Sequence, residues 1–229
     1  MLKDNTKRGK NLLLMLKISL FLNALWFVQC FWDYVIGSKY NFDPALYSWD
    51  WETPLPVNYN EPFFDLFTGL VGLTGFVVFI ICAIMFILWF RRSYYNIEQA
   101  GISIDRSEST AAWAWFVPIY NLYAPYQIMK EVWEKTQTTY SQQTVSSNNL
   151  IVFWWIPWVV ASLVDGQTDL IGGSVFGDNY ELILIFSIIS AIIMLVSNYF
   201  LIDLVKKISE FEQLMRSSVD SAASENLGY

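Results

Sequence analysis

Leu66 to Phe90 reads LFTGLVGLTGFVVFIICAIMFILWF, 25 residues without a single charge. A helix rises about 1.5 Å per residue, so roughly 20 residues cross a hydrocarbon core about 30 Å thick. This stretch is long enough to do so, and it sets the class: an all-α integral membrane protein. Leu182–Ile202 is a second uncharged run, of 21 residues. Leu12–Ile36 is a third apolar run, interrupted by Lys17, Ser19, Asn23, Gln29 and Asp33. Leu150–Val164 covers only about 22 Å as a helix. It reaches across by borrowing Asn148 and Asn149, by running past Asp165, or where the bilayer thins. It is read as a span, which makes four (12–36, 66–90, 150–164 and 182–202) in a single membrane domain.

The composition agrees. Apolar residues make up 55% of the chain and charged residues 15%, against about 25% charged in soluble proteins. The basic start (Lys3, Lys7, Arg8, Lys10) followed by an apolar run resembles a signal peptide. The run is too long for one, however, and has no A-x-A-like site; it is expected to stay as an anchor.

Orientation follows from the basic residues. Four spans put 13 of the 14 on one side: Lys3 to Lys17, Arg91 to Lys135, and Lys206, Lys207 and Arg216. The other side receives Lys39 against ten acids. Five spans would move Lys206 and Lys207 outside. The expectation is a multi-pass protein of the inner (plasma) membrane with both termini cytoplasmic. The net charge of −7 then reflects acidic outer loops, and the basic surface of a nucleic-acid binder is missing.

The chain has no histidine, which excludes bis-His haem, His-containing zinc sites and histidine-based catalytic triads. Cys30 and Cys82 fall inside spans and read as small apolar residues. No cofactor is expected. The first outer loop carries Tyr47-Ser48-Trp49-Asp50-Trp51-Glu52 and Pro54-Leu55-Pro56, read as rings at headgroup level or as a partner-binding surface. The second, Asp165–Glu181, is glycine-rich and acidic; solvated charge is the first reading and a collected cation the second. Gly69, Gly72 and Gly75 suit close helix packing within the chain or between copies. Residues 136–149 read as a polar, mobile linker, and 212–229 as a polar tail that frays.

The remaining segment, 111–135, is WAWFVPIYNLYAPYQIMKEVWE from Trp113 to Glu134. Trp113–Pro125 is too short to span and contains two helix-interrupting prolines. Asn121 suits a turn between Pro118 and Pro125, bonding the freed backbone. Beyond Pro125, Ile128, Met129, Val132 and Trp133 share one helical face, and Gln127, Lys130, Glu131, Glu134 and Lys135 the other. The expectation is a short element dipping into the inner leaflet, a Pro-kinked bend, and an amphipathic helix on the cytoplasmic surface.

The sequence Leu88-Trp89-Phe90-Arg91-Arg92 through Asn96, then Trp115-Phe116-Val117-Pro118-Ile119-x-Asn121-Leu122-x-x-Pro125-Tyr126 and Glu131-x-Trp133, resembles a bacterial membrane family known as domain of unknown function 4328. The resemblance marks Arg91, Asn96, Trp115, Pro118, Asn121, Leu122, Pro125, Tyr126, Glu131 and Trp133 as motif positions. It implies a four-helix membrane protein and no particular activity. The long acidic, Trp-bearing first outer loop departs from the family pattern.

Three functions compete. The first is a non-enzymatic protein acting through contacts with lipids, a protein partner or further copies of itself. The second is a small oligomeric transporter or channel, whose path would need ionisable groups within the bilayer. The third is a membrane enzyme, for which no clustered carboxylates or nucleophile-base spacing stands out. Lys17 and Asp203, at the inner ends of the first and last spans, are expected to pair. Asn23 and Asn198, deeper, are expected to share a hydrogen bond.

Overall fold

The computed structural model describes residues 2–41, 62–138, 146–170 and 179–226, and all the regular structure among them is helical. The helices are α1 (Thr6–Lys39), α2 (Pro62–Gln99), α3 (Glu108–Trp113), α4 (Ala124–Thr138), α5 (Asn149–Leu170) and α6 (Tyr180–Asn226), with a 3-10 turn at Tyr120–Leu122. The aromatic first outer loop, the middle of the polar linker and the glycines of the second outer loop after Leu170 lie outside the described residues.

Among the described residues three helices are long and apolar enough to cross a membrane: α1, α2 from Leu66, and α6 as far as Ser221. Their apolar stretches face outward, with Phe21, Leu73 and Phe76 each more than 60% exposed. A hydrocarbon environment accepts such a surface; water does not. The apolar part of α5, Asn149–Val164, is shorter. The helix itself both starts at Asn149 and continues past Asp165 to Leu170, about 33 Å in all.

α1, α6 and α5 pack in that order, with α2 against the other side of α1. α2 and α5 make almost no contact, so the bundle is an open arc. The tight core lies at one end of it, the end bearing the N-terminus and the basic residues. There Trp89, Phe90, Tyr94, Ile97, Ile128, Met129, Val132, Trp133, Leu204, Val205, Ile208 and Met215 are all but inaccessible. α2 stops at this end by a Schellman arrangement: the Ile102 amide bonds the Ile97 carbonyl, and the Gly101 amide that of Glu98. Gly101 takes the positive φ (76°) the motif requires.

Several expectations are corrected here. The sequence from 212 to 226 belongs to α6 rather than to a fraying tail. Met215 supplies an apolar contact that holds it to the core. The ends of the polar linker are fastened: the Gln137 side-chain Oε1 accepts from the Ser146 amide at 3.0 Å, and the Trp133 indole donates to the Ser146 backbone carbonyl at 3.0 Å. Trp113–Pro125 forms a bend and no spanning helix. α4 is amphipathic, but its apolar side is buried against α2, α5 and α6 rather than laid on lipid. Glu131, expected on its polar face, is buried with that side.

Gly69, Gly72 and Gly75 have nothing among the described residues within 4 Å of where a Cβ would stand, so they pack against no described helix. The close approach is at Gly9 instead. A Cβ there would sit 2.9 Å from Ser209 Oγ on α6 and 3.4 Å from Trp89 Nε1 on α2.

Candidate functional site

Two polar clusters lock the basic end. In the first, Asn5, Ser93, Asn96 and Glu212 come together from α2, α6 and the segment before α1. Asn96 donates to Glu212 Oε1 at 2.5 Å and to the Lys3 carbonyl at 2.8 Å; its own oxygen accepts from the Lys3 amide at 2.9 Å. Asn5 donates to Glu212 Oε2 at 3.1 Å and to Ser93 Oγ at 2.9 Å. Asn5 precedes α1 but makes no side-chain cap, because its carboxamide is turned into this cluster. All the donors to Glu212 are neutral. Burial raises its carboxyl above the usual glutamate range, against the three hydrogen bonds.

The second cluster centres on Glu131 of α4. The Tyr94 hydroxyl donates to Glu131 Oε2 at 2.7 Å, and the Asp105 amide to Oε1 at 2.7 Å. Tyr94 Oη in turn accepts from the Arg106 amide at 3.1 Å. Burial, then the bond to the Glu131 carboxylate, push the Tyr94 phenol well above its ordinary value. The tyrosine stays neutral and serves as a donor. Arg91 pairs with Glu108 at 2.8 Å, tying α2 to α3.

Between α3 and α4 the chain bends sharply. Ile119 has φ 66° and ψ −48°, in a γ-turn closed by the Tyr120 amide on the Pro118 carbonyl at 2.7 Å. A β-branched residue is strained there. Backbone bonds hold the bend, with the Asn121 amide on the Val117 carbonyl at 2.9 Å. The Asn121 side chain makes no hydrogen bond among the described residues, contrary to the sequence reading. The bend's apolar residues point outward, Trp113 and Ile119 being 67% and 77% exposed. Pro125 is buried in the first turn of α4, and Tyr126 packs against the core beside it. The Leu122 carbonyl accepts from Trp155 Nε1 at 3.1 Å, fixing the bend to α5.

Trp115 is the wedge. Its ring meets Phe86 of α2 at 5.3 Å and Trp155 of α5 at 5.8 Å, both edge-on. It joins two helices that otherwise meet only narrowly, at Phe86 and Trp154 (ring centroids 5.8 Å apart), and floors a cavity of about 710 Å³ between them. The volume is in the usual range of small-molecule sites. The walls are apolar, apart from Ser19 and Asn23 of α1 and Ser197 and Asn198 of α6. Gly72 and Gly75 form part of the α2 wall.

Asn198 donates to Ser19 Oγ at 3.2 Å and not to Asn23. Its other carboxamide edge, Oδ1, is buried with no partner. Asp203 bonds Lys207 one turn on, at 3.5 Å. Lys17 is exposed and makes no ion pair among the described residues. The two expected pairs therefore do not form, though α1 and α6 are neighbours. For Asp203 the partner on its own helix comes without ordering a second element.

Among the described residues no group of three Cys, Asp or Glu is placed to hold a metal ion. The sequence reading missed Glu212, Asn5 and Tyr94. A tail glutamate, an asparagine near the start of the chain and a tyrosine late in α2 carry no spacing signal, since each meets its partners only through the tertiary fold.

The family model for domain of unknown function 4328 matches residues 60–210, and the chain belongs to that family. The matched region contains Trp115, Glu131, Asn96 and most of the cavity, while Glu212 lies two residues beyond it and Asn5 well before it. No curated protein and no solved structure matches the chain.

Proposed function

We propose that this is a four-span, non-enzymatic protein of the plasma membrane that works through contacts with lipids and neighbouring proteins, with both termini cytoplasmic. The observation that carries the reading is where the polar chemistry goes. Glu131 and Glu212, the buried carboxylates of the described residues, are both taken up in holding chain segments together. The one large cavity described has no charged wall residue. A transporter is the second reading, favoured by the cavity's place among the helices. The absence of a charged lining residue weighs against ion or proton passage.

The topology rests on the basic asymmetry and on α5 as a crossing helix. Single cysteines at Ser48 and Thr168 are expected to label from outside in a cysteine-free background, and those at Thr138 and Ser221 only after permeabilisation. Outside labelling at Thr138 would overturn the topology. For the function, purification in mild detergent with mass spectrometry of co-purifying species is expected to yield stoichiometric lipid or protein. A reconstituted chain that passes solute and carries neither would favour the transporter.

A further inference from the structure

We propose that the cavity between α2 and α5 is a binding site for one bilayer lipid, with an acyl chain lying along the glycine face of α2 and a hydroxyl donating to the free edge of Asn198. This deepens the contact reading above and rests on it for the leaflet involved.

The cavity follows α2 from Val71 to Ile87, about 24 Å along the helix. That is a slot shape suited to an extended chain. Because α2 and α5 meet at Phe86 and Trp154 and make almost no other contact along their length, the cavity's side faces the region where lipid chains are the solvent. Its chemistry is graded along its length. Ser19, Ser197 and Asn198 gather toward the basic end, with Asn23 one helical turn further out, whereas the α2 wall, with Val71, Gly72 and Phe79, is wholly apolar. An amphiphile of the cytoplasmic leaflet has the same gradient.

Two details set the fit. Asn198 is 92% buried, being 8% exposed. One edge of its carboxamide is held by Ser19 and the other, an acceptor, is unpartnered. An unsatisfied buried acceptor in an apolar setting is costly, and turning the carboxamide toward the cavity that Asn198 lines, where a hydroxyl meets it, removes that cost. Ser197, by contrast, is already engaged with the Trp154 carbonyl at 2.9 Å. Gly72 and Gly75 leave open space where side chains would stand, which keeps the α2 wall flat enough for a chain to lie against. The ligand class is therefore a hydroxyl-bearing glycerolipid such as diacylglycerol, in preference to phosphatidylcholine, which offers no donor.

The test uses the native tryptophans of the wall and floor, Trp115, Trp154 and Trp158. The full chain is reconstituted in phosphatidylcholine vesicles containing increasing fractions of lipid brominated in its acyl chain. Brominated diacylglycerol is expected to quench saturably at low mole fraction, and brominated phosphatidylcholine only in proportion to its abundance. Asn198→Leu is expected to reduce the preference for diacylglycerol about three- to tenfold, the size of one hydrogen bond in a membrane protein. Gly75→Leu and Gly72→Leu should each abolish saturation. Gly69→Leu, on the same helix but outside the cavity, should leave it intact and reports on folding. Equal, unsaturable quenching by both lipids in the native chain would overturn the proposal. So would cross-linking of two copies through Gly75→Cys, which would make a second chain the occupant. Saturable quenching combined with outside labelling at Thr138 would keep the site and discard the topology.

Discussion

Glu212 is a carboxylate held by three neutral donors, and its raised pKa gives the protein a pH dependence of definite sign. Between the ordinary glutamate value and the folded one, the folded chain binds more protons than the unfolded chain. Stability therefore falls as pH rises through that window. Asp4 nearby adds to the effect by repulsion. The thermal midpoint in detergent is expected to drop as pH rises above the ordinary glutamate range, and Glu212→Gln is expected to flatten that drop. An unchanged slope in the variant would remove Glu212 as the source. Glycines separate in the same way by their surroundings. Gly9→Ala would drive a methyl against Ser209 Oγ, and overpacking of this kind costs about 1–3 kcal/mol. Removing the hydroxyl as well, in Gly9→Ala with Ser209→Ala, should recover most of the loss, read as a non-additive thermal shift. Gly69→Ala meets nothing and should stabilise α2 by up to about 1 kcal/mol.

The α3–α4 elbow is where sequence and structure diverge most instructively. Its prolines and its short apolar run correctly exclude a crossing helix. The apolar stripe of α4 is equally plain, since period is a local property. What covers that stripe is not local: lipid and protein both accept Ile128 and Val132, and only the position of α6 decides between them. Glu131 shows the same limit. A glutamate flanked by Lys130 and Glu134 reads as surface, and its burial depends on Tyr94 and the Asp105 amide arriving from 37 and 26 residues away. Tyr94→Phe leaves a Glu131 oxygen and the Arg106 amide without a partner, at about 1–3 kcal/mol for a buried group. It is expected to lower the thermal midpoint and to speed proteolysis between 102 and 107. Cleavage unchanged from the native chain would mean that the connection is held by other contacts.

For the molecule as a whole, the long apolar runs were enough to establish the helical membrane class, because length and absence of charge need no tertiary information. They say nothing of where the packing is tight. The spans are loosely assembled around a lateral cavity, and the dense core sits beyond them at the basic end, built from Trp89, Tyr94, Trp133 and Ile208. Sequence reading looked for glue inside the bilayer, at Gly72, Lys17 and Asn23. It found instead the walls of a site and an exposed lysine. The glue is at Gly9, Asn96 and Glu212, where single residues of ordinary type meet from distant parts of the chain.

α6 runs unbroken for 47 residues, about 70 Å, from the far end of the bundle to well beyond the basic end. Within it Asn198 touches the cavity and Glu212 holds the N-terminal segment, 14 residues and about 21 Å apart along one axis. A stiff rod of that length acts as a lever. A tilt of about 5° pivoting at its outer end displaces Glu212, about 48 Å along the rod, by roughly 4 Å, more than the length of any hydrogen bond in its cluster. Whatever widens or narrows the gap beside Asn198 is thereby geared to the clasp that fastens the start of the chain.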